Sequence, residues 1–581
     1  MSLTVLVYVF FLGLMFTFLV PPFQKPDEIV HFNYALSLQS RSQMAEERYV
    51  NMYEKFKANK VAFREDVKFS VDNIFYKDGN RTKVKLSGYN NKLVNIVGFL
   101  PAVIGISIGK LFDYPIMAFW LARFFGLIFF LLSLVWSLHM VEERYKGIIL
   151  VFASLPMVLH QVTSVNYDVM PLVLAPIMFA FFTRILVAEN IRKLDLVGLL
   201  ISVVLFMIAK AGYYFFAILL MVVIVKKYEV FFKKIWWLML IPMVILVVFS
   251  IPAFYYLVRL FWSDGSGYVY PEAQFTLLRQ DPFYLVGVLS NTFDQKWDFY
   301  LRTFMGYFGW LDYQYDLYSY LLVLGMLVYF IGDVVRRDSK RVVSGLNLLL
   351  LWLMNIGTVI TFMMLFYFTW TNVGAEVVEG IVGRYMLVIF PFLFFAFEQT
   401  ILFIGKSKSK VLCISILLFI IGFRTSKAIY ARYYDFNGRF SNSEELVKKI
   451  DSQKKEGLKI EPVVLDIGRS FMMGVSPDDN IVGFSLYYDS RNIVSRVPYR
   501  YFIKDSECNK VKISGYLDQS KLSNDGVLSE KLKQFVPDDT ALCVVLSPVI
   551  IEDAKEKYIS IGKMDDEYLF NFLFQVKKQS Y

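Results

Sequence analysis

Two carboxylates and a histidine stand directly after the first hydrophobic run of the chain, in Pro21-Pro22-Phe23-Gln24-Lys25-Pro26-Asp27-Glu28-Ile29-Val30-His31-Phe32. Such groups can take up or give a proton, and ionisable side chains at the mouth of a membrane helix mark a functional site. The two leading prolines end the preceding helix. Pro26 suits the first position of the next one, where Asp27 and Glu28 meet unpaired backbone N–H groups. His31 falls one turn after Asp27 on the same face. An ordinary acidic helix start has the same composition, so the stretch alone supports both readings.

Further along the chain stand Arg123 in Leu121-Ala122-Arg123-Phe124, Asp168 in Ser164-Val165-Asn166-Tyr167-Asp168 and Lys210 in Ala209-Lys210-Ala211-Gly212. Trp310 and Asp312 follow in Phe308-Gly309-Trp310-Leu311-Asp312, and Arg384 and Tyr385 in Gly383-Arg384-Tyr385. Aromatic rings beside carboxylates suit sugars, which stack on a ring and hydrogen-bond at the edge; an interfacial aromatic belt gives the same composition. The cations suit a phosphate, and for Arg123 an ion pair with a loop carboxylate is an equal alternative. No Gly-rich phosphate loop, HExxH or Cys/His cluster appears, and Cys413, Cys508 and Cys543 offer no metal-ligand spacing.

The elements that must position these residues are mostly membrane helices. The chain has 581 residues, 56% hydrophobic and only 19% charged, with apolar runs longer than a soluble core absorbs. The first run, about Leu3 to Val20, reads as an uncleaved signal anchor. Further spans are expected near 115–139, 147–163, 170–188, 196–209, 213–225, 235–258, 315–332, 342–368, 385–404 and 410–424, giving roughly eleven. Leu93–Phe112, rich in Gly and Pro, reads as juxtamembrane, because that choice puts Glu142–Lys146, Glu189–Asp195, Lys226–Lys234, Asp333–Arg341 and Lys406–Lys410 on one, cytoplasmic side. The N-terminus is then inside, and the singled-out residues collect on the outer side with a large first loop, 21–114. The +10 net charge follows from those basic loops and implies no nucleic acid. From Thr425 the apolar runs shorten. Pro462–Ile467, Ile481–Tyr488, Ala541–Leu546 and Tyr558–Ile561 read as strands beside a helix at Ser443–Lys455, an extracytoplasmic α/β domain over 425–581. Its fold class is therefore mostly α, a polytopic membrane bundle over 1–424 with an α/β tail.

The acidic pair after span one, the juxtamembrane segment, the Ala-Arg-Phe span and the later Tyr-Asp resemble membrane glycosyltransferases of the GT-C superfamily. The motifs of 20–400 look more particularly like a large bacterial family of membrane proteins catalogued as a domain of unknown function. The resemblance implies a bacterial cell-membrane enzyme with a polyprenyl-phosphate-linked sugar donor and a glycan or wall-polymer acceptor outside the cytoplasm. Asp27 matches the catalytic base, Glu28 an orienter or second acid, and His31 a partner of Asp27 or a metal ligand. Arg384, Lys210 and Arg123 are the cations for the leaving phosphate. Asp168 matches an acidic loop that in oligosaccharyltransferases helps hold a divalent metal; its neighbours here supply no second acidic ligand. A transporter or flippase of lipid-linked saccharides is the alternative. It calls for charges at the midplane of several spans, which are nearly free of them.

Overall fold

A computed structural model describes residues 2–42, 44–57, 75–76, 78–79, 81–85, 94–112, 114–210, 212–228, 271–281, 283–309, 313–337, 343–371, 374–400 and 411–434, together with seven strands beyond 469. Helix α1 spans Ser2–Phe18, and Pro21-Pro22 follows it as a bend. The first loop folds as α2 (Glu28–Ser40), strand β1 (Met44–Glu46), α3 (Glu47–Lys57), strand β2 (Lys83–Lys85), α4 (Val94–Gly98) and α5 (Leu100–Gly109). Arg41, left-handed at φ 51°, ends α2 and separates it from α3.

At ten residues α5 is about 15 Å long, half the thickness of a bilayer core. It lies along α6 (Pro115–Met140), and Gly105 makes the contact: a Cβ there would come 2.3 Å from the Leu121 carbonyl oxygen. Phe23, Phe32, Tyr49, Phe99, Ile106, Phe119 and Val165 build a core for the first loop, separate from that of the bundle.

In the bundle, α7 (Lys146–Ser154) and α8 (Pro156–Val162) meet at an angle of 68°. Pro156 lacks the N–H that would continue α7 and opens α8 instead. Then come α9 (Val169–Val187), α10 (Lys193–Ala209), α11 (Ile218–Lys227), α12 (Pro271–Gln280), α13 (Tyr284–Met305), α14 (Leu317–Arg337), α15 (Gly345–Thr369), α16 (Phe390–Thr400) and α17 (Val411–Tyr433). Among the described residues α6, α9 and α15 are long and apolar enough to cross a membrane, and the bent pair α7–α8 makes a fourth candidate. The expected span at 235–258 lies outside the described residues.

In the tail the described residues are strands only, β3 (Ser470–Gly474), β4 (Asp479–Tyr487), β5 (Tyr499–Lys504), β6 (Val511–Tyr516), β7 (Val527–Phe535), β8 (Ala541–Pro548) and β9 (Asn571–Lys578), in antiparallel sheets of order β3-β8-β5-β6 and β9-β4-β7. Strands β4 and β8 coincide with two of the expected ones. The expected helix at 443–455 and the strands at 462–467 and 558–561 lie outside the described residues.

Candidate functional site

The opening stretch separates its two carboxylates. Asp27, exposed, caps α2 with a left-handed backbone at φ 55°, a conformation that Asp tolerates better than most residues, and its carbonyl oxygen accepts the His31 N–H at 3.0 Å. Glu28 is fully buried and pairs with equally buried Arg123 at 2.6 Å.

Arg123 Nε donates to Glu28 Oε1 at 2.8 Å and Nη2 to Oε2, while Nη1 and Nη2 also donate to the carbonyls of Thr17, Val20 and Pro21 at 3.1, 2.6 and 3.0 Å. A guanidinium has five N–H groups, so all are used inside the protein. Arg123, expected at the leaving phosphate, therefore sits as an ion-pair partner in the core, the other alternative of the sequence. Glu28 Oε1 in addition accepts the Val165 N–H at 3.1 Å.

Lys25, to which the sequence assigned no role, is also fully buried. Its Nζ donates to the Thr163 carbonyl and hydroxyl at 2.5 and 2.9 Å and to the His160 carbonyl at 3.3 Å, capping the end of α8. Burial, with Arg123 nearby, pulls its pKa well below the usual lysine value. Its proximity to Pro26 and the charged pair was the one available signal; the helix it caps begins more than a hundred residues later.

The remaining residues gather around Tyr167. His31 stands edge-on to the Tyr167 ring at 4.9 Å and 5.6 Å from Phe99. Lys210, at the end of α10, pairs with Asp168 and lies 4.9 Å over Tyr167 and 4.3 Å over Tyr385. Tyr385 stacks on Phe366 at 5.3 Å. Arg384 leans over Tyr385 at 5.7 Å, and its Nη1 is buried with no hydrogen-bond partner among the described residues. Gly383 permits this placement: its N–H reaches Thr303 Oγ1 at 2.8 Å, and a Cβ there would come 1.9 Å from the Tyr300 carbonyl oxygen on α13.

The electrostatics tie these groups together. Desolvation raises the Tyr167 phenol well above its ordinary value, Asp168 and Asp27 add to the rise, and Arg384 opposes it. Desolvation lowers half-buried His31 to about 4, with Asp168 opposing and Lys210 and Arg384 adding. Lys210 is likewise lowered by desolvation against the pull of Asp168.

His31, Asp168, Lys210 and Tyr385 thus gather about Tyr167, with Asp27 and Arg384 acting on its phenol electrostatically, whereas Glu28 and Arg123 are buried in the core. Trp310 and Asp312 lie outside the described residues; the preceding Gly309 donates its N–H to His160 Nε2 at 3.3 Å. Among the described residues no three His, Cys, Asp or Glu side chains gather, and the Asp168 carboxylate already holds Lys210. This donor set does not fit a divalent metal at Asp168.

Long apolar helices carrying a charged, aromatic-lined cluster at their ends define a helical membrane protein with a polar site. Residues 10–393 match the family described as predicted membrane protein (DUF2142), and the chain belongs to that family. No curated protein and no solved structure matches it.

Proposed function

We propose that the protein is a GT-C-type glycosyltransferase that moves a sugar from a polyprenyl-phosphate donor to an extracytoplasmic glycan or envelope-polymer acceptor. The observation that carries the reading is that an exposed carboxylate, Asp27, and a guanidinium whose buried Nη1 has no hydrogen-bond partner among the described residues, Arg384, both act electrostatically on the Tyr167 and Tyr385 phenols. Sugar transfer needs both. The acceptor hydroxyl gives its proton to Asp27 as its oxygen attacks the anomeric carbon, and the bond from that carbon to the phosphate oxygen breaks. Polyprenyl phosphate departs with the bonding electrons, and Arg384 compensates the charge that develops on it. Asp168 neutralises Lys210 between the Tyr167 and Tyr385 rings, a rigid aromatic wall suited to the face of a sugar.

In this reading the bundle has about eleven spans with the N-terminus inside, from the distribution of basic loops, and the 425–581 domain lies outside with the site. The test is to incubate the purified protein with a panel of polyprenyl-phosphate sugars and acceptor glycans and to follow release of polyprenyl phosphate. Acceptor-dependent release supports the reading; binding or transbilayer movement of the intact donor without release would replace it by transport.

A further inference from the structure

We propose that Arg123, acting through Glu28, is a positioning residue for the site: it fixes the α1–α2 connection against the Thr163–Val165 turn and so sets Asp27 and Asp168 about the Tyr167 phenol. The inference rests on the transferase reading only for the meaning of those positions; the mechanical claim stands apart from it.

One buried guanidinium holds two segments of the chain together. Through Thr17, Val20 and Pro21 it gathers the last carbonyls of α1 and the bend after it, groups that α1 itself leaves without partners. Through Glu28 it holds the first residue of α2. Asp27 lies between these two anchors, in a left-handed conformation that persists only when its surroundings determine it. Glu28 then carries the connection across to the Val165 N–H, and Lys25 makes a second crossing to Thr163 and His160.

Val165 is three residues before Asp168, whose own N–H is held by Asn166 Oδ1 at 2.8 Å. Both outward carboxylates are therefore placed by short runs of backbone leading from one buried ion pair. A pair kept for stability alone is poorly explained here, because buried ion pairs are often no more stabilising than apolar side chains of similar size. The Arg fork is also specific: Lys supplies three donors from one point and cannot hold two carboxylate oxygens and three carbonyls together.

Two variants of the full-length protein test this, Arg123→Lys and the apolar exchange Glu28→Met with Arg123→Met. Thermal midpoint, amide hydrogen exchange and transfer kinetics are measured for each. The expected result is a cooperative fold in at least one variant, with a lowered midpoint in the apolar exchange, where the Thr17, Val20 and Pro21 carbonyls and the Val165 N–H lose their partners. Exchange in peptides covering 17–32 and 160–168 should be roughly tenfold faster or more, with other segments unchanged. Transfer kcat should fall by at least about tenfold at nearly constant donor KM. Wild-type exchange at 160–168 would overturn the proposal, whatever the kinetics. So would a rise in donor KM at constant kcat, which would make Arg123 a phosphate ligand after all, or loss of the global fold in both variants, which would make the pair a stability element. If the wild type shows no transfer, the transferase reading fails, and the exchange result still decides the positioning claim.

Discussion

Asp27 and Glu28 are adjacent in the chain and face opposite environments: Asp27 is exposed at a left-handed helix start, and Glu28, one residue on, is closed off from solvent against Arg123. A regular helix start would point the two carboxylates about 100° apart on one rim. The left-handed turn and the guanidinium together leave one of the two carboxylates at the surface.

Replacing that carboxylate gives the most direct test. Asn shares the tolerance of Asp for the left-handed region, and α2 starts without a side-chain cap bond from Asp27, so Asp27→Asn should fold normally. It loses a favourable charge at a helix N-terminus, worth about 0.5 kcal/mol. As a general base it should lose at least about a hundredfold in transfer while still binding the donor. Turnover near wild type, measured with purified protein, would return the stretch to an ordinary helix start.

Arg384 should act on the donor rather than the acceptor. Its buried Nη1 has no hydrogen-bond partner among the described residues, and a phosphate oxygen would supply one. Arg384→Ala should raise the donor requirement, with a loss of about 2 kcal/mol or roughly thirtyfold in kcat/KM for the donor. Acceptor dependence should change little. An unchanged donor profile would make Arg384 a packing residue of the Tyr385 wall.

His31 predicts an acid sensitivity with a definite sign. Its pKa is lowered from 6.5 to about 4, so between those values the folded protein binds fewer protons than the unfolded chain. The stabilising contribution is complete above pH 6.5 and is lost as pH falls towards 4. Its size is on the order of 3 kcal/mol at most. His31→Gln should lose less of its thermal midpoint between pH 7 and pH 4 than the wild type does. Parallel curves for the two proteins would remove His31 as the source.

Sidedness can be read at Val30, an exposed residue of α2 next to the site. With Cys413, Cys508 and Cys543 replaced by Ser or Ala, Val30→Cys should react with a membrane-impermeant thiol reagent in intact cells. Labelling only after lysis would place the first loop, and with it Asp27, in the cytoplasm.

Sequence alone determined that this chain is a membrane protein and which charged residues stand at the ends of its apolar runs. Those are properties of single segments: Pro21-Pro22 ends α1, and apolar runs such as those at 115–139 and 342–368 are longer than a soluble core absorbs, whatever packs beside them. It also put His31, Asp168, Lys210, Arg384 and Tyr385 on one list with Asp27, and these do come together about Tyr167, in contact or electrostatically.

Only the tertiary structure decided which of the charges are buried and which are presented. Glu28 and Arg123 are 95 residues apart, and Lys25 finds its acceptors about 135 residues away. A Lys, Arg or Glu keeps the same pattern in the sequence whether water or a partner satisfies it, and the cost of burial is settled by groups that arrive from elsewhere in the chain. Locally, Arg123 reads as well as a ligand for phosphate as it does as a core anchor. Its five hydrogen bonds, three of them to carbonyls at the end of another helix, exist only once α1 and α6 have packed.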